Sequence, residues 1–170
     1  MTRILTLFAA LLPVLCVVPA QEPVPGSDDV SPSLNRIDAR TPQGLRDLLR
    51  PSSGPLRFVS AHRGGARKGY PENCLETFED TLRQTGAIME IDPRYAKDGS
   101  IVLHHDESLE RTTNGRGKVS DLTLPELKQL RLKDPEGNLT GYRIPTLDEA
   151  LEWARGRTVF ASPRRGAAFI

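Results

Sequence analysis

His62-Arg63, Glu90-Ile91-Asp92 and His105-Asp106 are the groups in this chain whose types and spacing could do chemistry together. Imidazoles move protons near neutral pH. A guanidinium fork matches phosphate oxygens, and two carboxylates can converge on one cation. Together they are the equipment for cleaving a phosphodiester, with the cation and guanidinium taking up negative charge while two imidazoles exchange protons. Each set stands where an apolar run ends, so the elements that deliver the sets decide whether they meet.

Phe58-Val59-Ser60-Ala61 reads as a buried strand that delivers His62, and Gly64 to Gly69 reads as a loop. A helix is expected from about Glu72 to Gln84, with Leu75, Phe78 and Leu82 on one side and Gly86 as its stop. A strand Ala87–Asp92 follows, then a hairpin turn at Asp98-Gly99 and a strand Ile101–His105. Thr41-Pro42 opens a short helix that Pro51 ends. Thr123 with Glu126, and Thr146 with Glu149, are capping boxes that start two more helices, and Thr158–Ala161 is the last readable strand. Alternating strands and helices predict an α/β fold with a largely parallel sheet, whose functional groups sit at the carboxyl ends of strands.

Residues two apart in a strand share a face about 6.5 to 7 Å apart. Glu90 and Asp92 therefore point the same way, with Met89 and Ile91 opposite them. Ile88 shares the acidic face lower down, so that face turns acidic only at its end; the bland alternative is an exposed strand carrying two incidental acids. All-oxygen ligands suit Mg²⁺ or Ca²⁺ better than zinc. The chain has only three histidines. His104 and His105 are adjacent and face opposite sides, so only one can share the site. His105, in line with Leu103 and Ile101 and followed by Asp106, is the better candidate. Arg63 beside His62 is either a phosphate fork or a surface arginine.

The N-terminus runs apolar from Ile4 to Val18 after Arg3 and closes on Val18-Pro19-Ala20, the pattern of an export signal cleaved near Ala20. A short membrane anchor is the alternative, but the run is below the roughly 18 residues a span needs. Cleavage removes the charge of Arg3 and takes the formal net charge from +1 to neutrality. Basic and acidic residues are interspersed, so no nucleic-acid partner is expected. Cys16 and Cys74 fall on opposite sides of the cleavage site, which leaves Cys74 as a small buried side chain.

The ordered motifs His62-Arg63-Gly64, Pro71-Glu72-Asn73, Glu90-Ile91-Asp92, His105-Asp106, Arg111-Thr112-Thr113-Asn114-Gly115 and Ile144-Pro145-Thr146-Leu147 resemble the glycerophosphodiester phosphodiesterase family from about Phe58 to Thr158. Cys74 stands where that family often has threonine. The resemblance implies an eight-stranded TIM-type (β/α)8 barrel, with about Asp106 to Arg143 as an inserted segment over its mouth. It implies a divalent metal, Ca²⁺ or Mg²⁺, on Glu90 and Asp92, His62 and His105 as general acid and base, and Arg63 on the phosphate. The implied substrate is a glycerophosphodiester, and the products are glycerol 3-phosphate and an alcohol.

A complete barrel of this kind needs about 250 residues, and the chain has 170. The expectation is a truncated barrel: a signal peptide at 1–20, a linker at 21–35, a partial barrel domain at 36–161 and an atypical tail at 162–170. The family's next strand carries a Glu-x-Lys pair, whereas no acid follows Glu152 here. An open barrel edge predicts self-association. Two classes of function stand open: an exported metal-dependent phosphodiesterase, and a non-catalytic remnant that binds phosphate or a cation weakly.

Overall fold

The computed structural model describes residues 34–37, 39, 41–50 and 59–162. The expected signal peptide, the linker up to residue 33, Phe58, Pro51 and the tail from residue 163 lie outside the described residues. No described helix is long and apolar enough to cross a membrane.

Helix α1 (Pro42–Leu49) starts as its sequence demands: Thr41 Oγ1 accepts from the Gly44 N–H at 3.0 Å, and Pro42 occupies the first turn. Strand β1 (Val59–Ala61) leads through a turn at His62–Gly64 to helix α2 (Leu75–Gln84). Strand β2 (Ala87–Glu90) follows, then the hairpin strands β3 (Pro93–Tyr95) and β4 (Ile101–Leu103). Helices α3 (Leu124–Leu127) and α4 (Leu147–Ala154) both carry the expected capping boxes, and strand β5 (Phe160–Ala161) completes the order. Strands β1, β2 and β5 form a parallel sheet with β2 in the middle, while β3 and β4 pair antiparallel around Gly99 at φ 84°.

Alternation along β2 is what aims the acids. Ala87, Met89 and Ile91 are fully buried in a core with Phe78 and Leu82 of α2, Ala150 and Leu147 of α4, and Phe160. Ile88, Glu90 and Asp92 take the other face and are half-buried. Phe78 sits 5.7 Å from Trp153 and 5.6 Å from Phe160, centroid to centroid, locking both helices onto the sheet. The Asp106–Arg143 stretch has a second core of its own, in which Leu109, Val119, Leu127 and Leu132 close over Val102 of the hairpin, Cys74 and Ile144.

Several boundaries differ from expectation. Helix α2 begins at Leu75 rather than Glu72 because Asn73 has φ 54°, outside the helical region. It ends at Gln84 with Thr85 extended, so Gly86 is not used as a left-handed stop. Strands β2 and β4 end at Glu90 and Leu103, two residues earlier than predicted, and β5 starts two later; one ladder bond, Ile91 N–H to the Ala161 carbonyl at 2.9 Å, continues past β2. Leu34 and Asn35, the end of the expected linker, dock on α2. The Asn35 backbone and side-chain amides donate to the Leu82 carbonyl at 2.8 and 2.9 Å, serving the last turn of the helix, where intrahelical donors run out.

Candidate active site

The carboxyl end of β1 passes directly into the turn that holds His62 and Arg63. Arg63 adopts φ 51°, ψ 32°, a left-handed conformation that costs a non-glycine residue about 1 kcal/mol or more. Long-range bonds hold it there. Its N–H donates to Glu90 Oε2 at 2.7 Å, and its carbonyl accepts from the Asn73 N–H at 2.9 Å. Asn73, left-handed as well, exchanges two bonds with Asp92: its Nδ2 donates to Oδ2 at 3.0 Å, and its Oδ1 accepts from the Asp92 N–H at 3.0 Å. Two strained residues thus grip the two acids of β2.

The Arg63 guanidinium lies beside those acids. Its Nε is 3.9 Å from Asp92 Oδ2 and, among the described residues, is buried without a hydrogen-bond partner. Its Nη1 donates to Glu72 Oε1 and Oε2 at 3.1 and 3.0 Å. Glu72 also accepts two bonds from Arg111 at 2.8 and 2.9 Å. Burial works to raise the Glu72 pKa, but Arg111 and Arg63 outweigh it, and the carboxyl stays below its ordinary value. Arg111 then reaches Asp106, with Nε on Oδ2 at 2.5 Å and Nη2 on Oδ1 at 3.0 Å, and Asp106 Oδ1 meets His105 Nδ1 at 2.6 Å. Hydrogen bonds from Arg111 hold the Asp106 carboxyl well below the usual carboxylate range, with His105 adding to the effect against burial.

The paired histidines differ in burial. His104 is 3% exposed, its Nδ1 against the Asp106 carbonyl and its Nε2 against Thr112 Oγ1, both at 2.9 Å. Burial pushes its pKa down. The His105 side chain is 40% exposed on the opposite side. His62 is exposed on its turn and, with Arg63 and Glu72, lines a cleft of about 500 Å³ beside β1. That cleft does not include Glu90, Asp92 or His105, so cavity and acid pair are separate features.

Glu90 and Asp92 fit a hard cation as two oxygen donors: each commits one oxygen to a protein N–H and keeps the other for a ligand. Glu72 does not fit as a third, because both its oxygens accept from guanidinium groups. Among the described residues no group of three or more His, Cys, Asp or Glu is placed to hold a metal ion. Cys74 is fully buried beneath the hairpin, and burial, then Glu76, pushes its thiol pKa far up, so it contributes packing and no nucleophile.

The sequence alone assigns no chemical part to Glu72, Asn73, Arg111 or Arg94, whose Nη2 donates to the His105 carbonyl at 2.5 Å. The signal was present in the Pro-Glu-Asn and Arg-Thr-Thr motifs. What it lacked was a partner list, since Arg111 and Glu72 are 39 positions apart.

Histidines, an arginine and paired acids at or just beyond the carboxyl ends of strands place this chain among α/β proteins that gather ionisable groups at that end of the sheet. The glycerophosphoryl diester phosphodiesterase family model matches residues 62–162, and the chain belongs to that family. It is 43% identical over 96 residues to a glycerophosphodiester phosphodiesterase of Caldanaerobacter subterraneus, covering 56% of this chain and 39% of that relative. A glycerophosphoryl diester phosphodiesterase structure from Parabacteroides distasonis superposes with a TM-score of 0.76 at 50% identity, over 81% of this chain and 48% of its own. A phosphodiesterase from Oleispira antarctica, solved with the product sn-glycerol-3-phosphate, matches at 36% identity and a TM-score of 0.55, over 63% of this chain and 44% of its own. The chain thus spans less than half the length of these relatives.

Proposed function

We propose that the chain carries the phosphate-handling part of a metal-dependent glycerophosphodiester phosphodiesterase, an exported enzyme that releases glycerol 3-phosphate and an alcohol. The observation that supports this reading most is the unbroken run of contacts from Glu90 through Arg63, Glu72, Arg111 and Asp106 to His105. A surface collection of charges has no need to join three strand ends. The sn-glycerol-3-phosphate bound to the Oleispira relative supports the substrate class. In this reading β1, β2 and β5 are the opening strands of a TIM-type barrel, with 106–143 over its mouth, and the flank of β1 away from β2 is where a further strand or a second copy would pair.

Each residue has a task. Arg63 binds the phosphate and offsets charge that grows on its oxygens. Of His62 and His105, one takes the proton of the attacking hydroxyl and the other gives a proton to the leaving alkoxide. Glu90 and Asp92 hold Ca²⁺ or Mg²⁺, which when bound supplies Lewis-acid polarisation of a phosphoryl oxygen. The two oxygens that Glu90 and Asp92 already commit to protein N–H groups support a second reading, a non-catalytic remnant that binds phosphate or cation weakly.

One assay separates them. Full-length chain is incubated with glycerophosphocholine and millimolar Ca²⁺ or Mg²⁺, and glycerol 3-phosphate is measured. Release that is lost in His62→Ala and in His105→Ala supports the enzyme. No release from folded wild-type chain leaves the remnant.

A further inference from the structure

Asp106 is next to His105 in sequence, but nothing in that adjacency holds its carboxylate against the ring, and a quarter-exposed side chain is free to turn to water. The structure supplies a clamp. Arg111 grips both Asp106 oxygens with one edge of its guanidinium and both Glu72 oxygens with the other. Glu72 in turn receives Arg63 Nη1. An ionised carboxylate only accepts, so the 2.6 Å contact places a proton on His105 Nδ1 and leaves Nε2 with its lone pair for proton transfer. Positive and negative groups alternate along Arg63, Glu72, Arg111 and Asp106, so the row satisfies itself without importing a counter-ion. Among the described residues, Arg94 donates to the His105 carbonyl, and His104 is buried against Thr112 and the Asp106 carbonyl.

We infer that Arg111 and Glu72 are positioning residues that lock His105 in its Nδ1–H tautomer and seat Arg63 at the same time, assembling the proton-transfer group and the phosphate fork as one unit. The kinetic part rests on the phosphodiesterase reading; the tautomer part does not. A planar fork is required, because a lysine is a point charge that cannot grip two carboxylates along two edges. An ordinary surface ion pair would add little and would leave the ring's proton untouched.

The test is imidazole ¹⁵N NMR on the full chain at about pH 9, where histidine rings are neutral. The three histidines are assigned with His62→Ala and His104→Gln variants. Wild-type His105 is expected as the Nδ1–H form. Arg111→Ala should convert most of it to the Nε2–H form favoured by a free side chain, Arg111→Lys should fail to restore it, and Glu72→Gln should shift it part of the way. Retention of Nδ1–H in Arg111→Ala, or full restoration by lysine, overturns the clamp. If Arg111→Ala does not fold, the near-isosteric Glu72→Gln carries the same test: an unchanged tautomer there overturns the clamp too. With glycerophosphocholine, Arg111→Ala is expected to lower kcat about 10- to 100-fold with a smaller change in KM, while Glu72→Gln, which releases Arg63, also raises KM. A wild-type chain with the Nδ1–H ring and no turnover overturns the phosphodiesterase reading and leaves the clamp standing.

Discussion

At His104 burial disfavours the charged ring, and the pKa lies below the ordinary 6.5 despite the opposing pull of Asp106 and Glu72. The native state therefore holds a neutral ring that the unfolded chain would protonate. The stability from this group is complete above about pH 6.5 and is lost as pH falls from there through the folded value. Urea unfolding is expected to show stability falling as pH drops below about 6.5, with a flatter slope in His104→Gln. Identical slopes would place the loss elsewhere. Glu72 and Asp106 act in a separate window. Their values are held below 4.5 and 3.8, so what they contribute is present above those values and disappears only in stronger acid. His105 stands next to His104 in sequence yet in different surroundings, because the chain leaves β4 at Leu103 and turns one ring against Thr112 and the other against the Asp106 carboxylate.

The turn between β1 and α2 shows how one element sets another. Gly64 has φ 86°, and a Cβ there would lie 2.2 Å from two ring carbons of Phe78, the residue that joins α2 to α4 and β5. Neither the backbone nor the ring can give way cheaply. Gly64→Ala is expected to cost about 3 kcal/mol or more, measured by thermal or urea unfolding. Adding Phe78→Leu should relieve the clash but not the backbone cost, so the double variant should be less unstable than the summed singles. A strictly additive pair would mean that the turn does not rest on α2. That support matters for the site, since the same turn carries His62 and the left-handed Arg63.

On the scale of the molecule, one sheet divides packing from chemistry. Helices α2 and α4 cover the face with Met89 and Ile91, and the acids occupy the other. A cation bound only by the folded acid pair stabilises by mass action. Millimolar Ca²⁺ or Mg²⁺ is expected to raise the Tm of the wild-type chain, and Asp92→Asn should remove most of that rise. An equal rise in the variant would place cation binding elsewhere. The 106–143 segment, with its separate core, braces the hairpin, and it also carries Arg111 across to Glu72.

The sequence by itself determined the kind and order of elements and the direction of the acids. A two-residue period in a strand, a threonine answering a glutamate three positions on, and a proline in a first turn are consequences of local covalent geometry, and Glu90, Asp92, Thr123, Thr146 and Pro42 behave accordingly. The motif order carried the family as well. Only the tertiary structure decided that Glu72 bridges two arginines, that Arg63 and Asn73 accept left-handed backbones, and that α2 starts three residues late. Those outcomes depend on partners 9 to 39 positions away. Which carboxylate meets which guanidinium is a matter of where chain closure brings them, and no local propensity encodes that choice.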